Sequence, residues 1–171
     1  MVKRVFIPIL VLIFSCSSLS MACIQTTDAQ DTIVKVSDAF FKGTIGRGEI
    51  ADYLNMLLDT AVSLTTTSQY HDKIEYNVGV AQDLLKNDSI FNDKARQYLS
   101  FAYRMLTGGI KYERPPELDI FITPDEAGEK GLAYTKKLIE NALNYLKEKK
   151  DLEAAKLLIE FVLMTVTPIS G

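Results

Sequence analysis

One histidine, two cysteines and a run of carboxylates are the residues of this chain with chemistry to offer. The histidine is His71, in "YHD". A Ser-His-Asp triad would need its base at this single position, and Asp72 is a poor orienting acid because neighbouring residues on a helix point apart. We expect His71 to be a partly exposed residue in the first turn of a helix, without a catalytic role. A di-iron bundle site requires two Glu-x-x-His motifs, which one histidine cannot supply. The haem-attachment motif, the phosphate-binding Walker loop and the dinucleotide glycine pattern are absent. Glu113, Glu117, Asp119, Asp125 and Glu126 concentrate acid in one stretch, yet the alternating aspartates and glycine of a calcium loop are missing. They are expected to be solvated charges, with Asp125 and Glu126 supporting a helix start. A carboxylate-dependent hydrolase, which needs two acids facing each other across a cleft, is the least expected activity. No catalytic residue, metal or cofactor is assigned.

Both cysteines, Cys16 and Cys23, stand behind "MVKRVFIPILVLIFS". That stretch has the parts of an export leader: basic Lys3 and Arg4, an apolar run from Val5 to Phe14, and small residues from Ser15 onward. Ten apolar residues rise about 15 Å as a helix, half the hydrocarbon thickness of a bilayer, which disfavours a leader left uncut as a membrane helix. "IFSC", ending at Cys16, resembles the bacterial lipobox, with an aliphatic residue three before the cysteine and a small one just before it. Phe14 departs from that pattern. "SMA" before Cys23 suits ordinary cleavage after Ala22, and lipidation at Cys23 is a third possibility, with Ser20 where an aliphatic residue is expected. The resemblance implies a lipoprotein with Cys16 as the lipidated N-terminus, carrying a thioether-linked diacylglycerol and usually an amide-linked acyl chain such as palmitate. At about 0.8 kcal/mol per buried methylene, two or three chains anchor a protein stably to a bilayer. The expected organisation is a signal peptide over 1–15 (to 22 if cleavage is later), a polar tether over 16–31 and one domain over 32–171. The expected location is the bacterial cell envelope, facing the periplasm or the surface.

The domain must then position whatever function there is. The chain has 171 residues, 47% hydrophobic and 24% charged, which suits one globular domain. Its formal charge is −3; with Lys3 and Arg4 removed in the leader, 17 basic residues face 22 acidic ones, giving −5. That balance repels phosphate backbones and argues against nucleic acid as a partner. Beyond Cys23 there is no cysteine, so stability rests on packing without disulfides.

Apolar residues recur at helical spacing almost throughout. Ile33, Val36 and Phe40 mark a first helix; Ile50, Leu54, Leu57, Leu58, Ala61 and Leu64 a second; Ile74, Val78, Ala81 and Leu85 a third; Phe91, Ala95, Leu99, Ala102 and Leu106 a fourth. Ile110 to Thr123 has no helical period and contains Pro115 and Pro116. "TPDE" then offers a capping box, with Thr123 as cap, Pro124 at the first helical position and Glu126 three after the cap. The fifth helix runs on to Leu146. The sixth, from Leu152 to Val166, is apolar around most of its circumference, and is expected either at the centre of the bundle or docked through one face on a partner or a second copy. The predicted fold is all-α: about six antiparallel helices, in a bundle or a short stack of hairpins.

Two of these hairpins resemble tetratricopeptide units. Ala95, Leu99 and Ala102, and less closely Ala155, Ile159 and Val162, follow the family's pattern of small, large and small residues, and Gly79 in "YNVGVA" matches its close-packing position. Spacing departs from the family: Ala95 and Ala155 are 60 residues apart, not a multiple of about 34. The resemblance implies a groove for a peptide or protein and no catalysis. Within the long connection, Tyr112, Arg114 and Phe121 are candidate partner-binding residues, being of types enriched at interface hot spots. The favoured function is therefore a membrane-anchored adaptor or scaffold that binds a protein or peptide. The alternative is a carrier holding a small apolar ligand in an enclosed pocket lined by Phe101, Leu143 and Phe161.

Overall fold

The computed structural model describes residues 14–46, 48–87, 90–113 and 124–167, with side chains from residue 27 onward in the first helix and from 131 in the fifth, Leu132 excepted. It is all-helical, with no strand among these residues: α1 Phe14–Phe41, α2 Ile50–Ser63, α3 His71–Asn87, α4 Asp93–Leu106, α5 Pro124–Lys147 and α6 Asp151–Val166. The apolar stripes expected from spacing are the buried ones, including Leu54, Leu57, Leu58 and Ala61 on α2, Ile74, Val78 and Ala81 on α3, and Ala95, Leu99 and Ala102 on α4. Each helix therefore forms because one face of it has a core to enter.

α6 is the centre. Ten of its residues are buried, from Ala154 to Val166, and α2, α4 and α5 pack directly on it. Its surplus of apolar residues is thus consumed inside the domain. Around it, α1 bridges α5 and α2, and α3 bridges α2 and α4. The five outer helices follow in the order α5, α1, α2, α3, α4, and among the described residues α4 does not pack on α5. Consecutive hairpins in a stack would meet at that pair, so of the two expected forms the packing is that of a bundle. Among the described residues, a seam separates α4 from α5 beside α6.

Three local features differ from expectation. Residues 25–31, read as a tether, continue α1, and Ala29 is buried. Ala29, Ile33, Val36 and Phe40 are spaced four, three and four apart, so a single small residue extends the core-facing stripe into an otherwise polar segment. Gly79 is no close-packing position, because a Cβ there would meet nothing within 4 Å. Asn92, rather than Phe91, starts the fourth helix: its side chain accepts from the backbone N–H groups of Lys94 and Ala95 at 2.9 and 3.0 Å.

Candidate functional site

The seam between α4 and α5 is closed from below by a polar cluster. Glu160 projects from α6 and is buried. Tyr134, from α5, donates its hydroxyl to Glu160 Oε1 at 2.7 Å. Tyr103, from α4, stands 3.5 Å from Oε2, long for an O–H donor. Tyr112, from the strand-free segment after α4, sets its ring edge-on to Tyr103 at a centroid distance of 5.5 Å. A carboxylate in this position would be costly without donors, and tyrosines from α4 and α5 stand beside it. Burial first, then Glu160, pushes the Tyr103 hydroxyl up to about 12. Tyr134 is raised as well, by burial and by its bond to Glu160, with Tyr112 and Tyr103 adding to the effect. Both phenols are consequently protonated donors at neutral pH.

Above this cluster lies an open groove. Its floor and walls come from Arg96, Gln97, Phe101 and Arg104 on α4, Lys111 and Tyr112 after it, and Leu163 and Thr167 at the end of α6, enclosing about 360 Å³. A second hollow of about 560 Å³ adjoins it, reaching Tyr70, Met105, Gly108 and Gly109 and sharing Phe101 and Arg104. Phe101 and Arg104 are three apart and so occupy one face of α4. Phe101 is 46% exposed. The groove's lower rim is shaped by the way α4 stops: Gly108 and Gly109 have φ of +65° and +98°, and the Gly109 N–H bonds the Arg104 carbonyl at 2.8 Å. That is a Schellman stop, which favours glycine at the left-handed position.

His71 opens α3 and is partly exposed, as expected. Its Nδ1 shares a hydrogen bond with Thr65 Oγ1 at 2.9 Å, and Thr65 Oγ1 also lies 2.8 Å from the Val62 carbonyl. Ligand atoms of His71, Asp72 and Glu75 all lie within 4.8 Å of one another, but no hydrogen bond joins Asp72 to the His71 ring among the described residues. Asp72 and Glu75 are exposed and suit the positive end of the α3 dipole.

Of the expected binding residues, Tyr112 lines the groove and also packs over the Glu160 cluster, joining the two. Arg114 and Phe121 lie outside the described residues, as do residues 1–13 and the side chains of Cys16 and Cys23. The three residues named for an enclosed ligand pocket do not converge. Phe101 faces the open groove, Leu143 packs on the core, and Phe161 is in the core with its ring edge-on to Phe40 at 5.5 Å. Among the described residues, no helix is long and apolar enough to cross a membrane. No protein-family model, curated protein or solved structure matches the chain.

The sequence carried a signal for Glu160 that helical periodicity alone passes over. It is the sole charged residue between Leu157 and Val166 on a helix apolar all round, and such a residue has to be buried and to find donors. Phe101 and Arg104, by contrast, become a site only through the fold.

Proposed function

We propose that this chain is a lipid-anchored protein of a bacterial cell envelope whose helical domain binds a protein or peptide partner and performs no chemistry of its own. The observation that carries this reading is the open groove between α4, the segment after it and the end of α6, where an exposed aromatic ring and cationic side chains stand beside Tyr112 and the polar cluster it packs on. Glu160, which accepts from Tyr134, and His71, beside Thr65, are given structural roles in this reading. An anchor at Cys16 would confine the domain to the membrane surface and raise its effective concentration toward neighbours, so a modest intrinsic affinity suffices.

Labelling cells with a palmitate analogue tests the anchor. Label is expected on the wild-type chain and lost from Cys16→Ser; equal label on both contradicts the assignment to Cys16. Crosslinking in intact cells followed by mass spectrometry tests the binding role, with a crosslinked envelope protein expected. A chain that crosslinks to nothing and fractionates with cytosol contradicts the proposal.

A further inference from the structure

We infer that the groove along α4 takes an acidic segment of a partner protein, with Phe101 making the apolar contact and Arg104 and Lys111 meeting carboxylates. This rests on the partner-binding reading above and names the chemistry of the partner. The chain as a whole carries a formal charge of −3, so its average field repels acidic partners. The groove has the opposite sign. Its charged lining is Arg96, Arg104 and Lys111 against Asp93, and Asp93 is taken up by Arg96 at 2.7 Å. Among the described residues, Arg104 and Lys111 stand in no ion pair.

The shape narrows the partner further. Two adjoining hollows share the Phe101–Arg104 wall and add Met105 on one side and Leu163 on the other. Apolar side chains of an incoming segment have places to sit on either side of Phe101, while its acidic side chains reach the flanking cations. This alternation of apolar anchors and charges is what an amphipathic peptide presents to a groove. A flat anionic membrane surface would gain the charge contacts but could not fill the concavity. Arginine also favours a planar carboxylate, which it meets with two parallel hydrogen bonds. Electrostatic complementarity of this kind sets partner choice and association rate.

The test is fluorescence anisotropy with the full chain in detergent micelles. The probe is a short fluorescein-labelled peptide alternating glutamate with leucine and phenylalanine, compared with the same peptide carrying glutamine or lysine at the glutamate positions. The glutamate peptide is expected to bind at least about tenfold more tightly than either, a preference that weakens as salt screens it. Arg104→Glu with Lys111→Glu is expected to lose the glutamate peptide and gain the lysine one, whereas Lys86→Glu, on the last turn of α3, leaves binding unchanged. Phe101→Ser is expected to weaken all three peptides while the circular-dichroism spectrum and thermal midpoint stay as in the wild type. Equal affinity for the glutamate and glutamine peptides overturns the inference, as does a double variant that binds like the wild type. So does capture of phosphatidylglycerol vesicles through Arg104 without peptide binding. If cells yield a partner crosslinked through another face, the binding role stands and this groove is removed from it.

Discussion

The α3–α4 and α5–α6 hairpins are built from similar amphipathic stripes and treat their surplus apolar residues in opposite ways. α6 carries far more hydrophobic side chains than one face needs, and α2, α4 and α5 cover them. α3 and α4 bury only a narrow stripe and leave Tyr76 and Phe101 exposed, with Tyr70 and Ile110 just outside the two helices. Hydrophobicity that the core absorbs reports on folding. Hydrophobicity left outside, as at Phe101 beside Arg104, is what the proposed binding surface draws on.

The contrast can be broken first in the core. Phe161→Ala on α6 removes a ring 1% exposed and is expected to destabilise the domain by about 3–5 kcal/mol in urea unfolding; a cost near zero would mean that α6 is not the packing centre. Tyr134→Phe deletes the donor that bridges α5 to Glu160, and should cost about 1.5 kcal/mol, the value for a bond to a charged acceptor in a half-buried setting.

The same cluster predicts a dependence on alkaline pH. Tyr103 and Tyr134 are raised in the folded state from the ordinary 10.0, Tyr103 to about 12. A raised folded-state value means that the native protein holds protons the unfolded chain has released. The contribution is therefore complete below pH 10 and is lost as pH climbs through about 12. Urea midpoints of the wild type should fall across that window, and those of Tyr103→Phe with Tyr134→Phe should fall less.

Smaller effects separate the two hairpins at their turns. α4 stops on glycines, but α5 stops on Lys149 at φ +58°, with the Lys150 N–H bonding the Tyr145 carbonyl at 2.8 Å. Lys149→Gly should therefore stabilise by about 1 kcal/mol, read as a higher thermal midpoint. Smallest of all, Phe101→Ala should change stability by less than about 0.5 kcal/mol, as an exposed side chain does. A large loss there would make Phe101 part of the core and end its role as a contact.

Much of this architecture was legible from spacing. The periodic runs of α2, α3, α4 and α6 correspond to helices with the expected faces inward, and the length of apolar coverage on α6 was a direct sign of its central position. α1 was read too short because "QTTDAQD" offers only Ala29 to the core, and a lone alanine does not stand out in a polar segment. The Glu160 cluster joins residues 103, 112, 134 and 160, which no local pattern connects. The groove depends on a relation that only the fold creates: Arg104 on α4, Lys111 after it and Leu163 near the end of α6 come to line one hollow. Tyr112, singled out by its type, lies where the groove joins the cluster below.

Site-specific photocrosslinking in intact cells addresses the binding face most directly. A benzoylphenylalanine at position 101 is compared with one at position 34, where Val34 is exposed to a similar degree on α1. We expect an adduct with a partner protein from position 101 and none from position 34. An adduct from position 34 alone, or from neither, would contradict the assignment of the α4 groove as the binding surface.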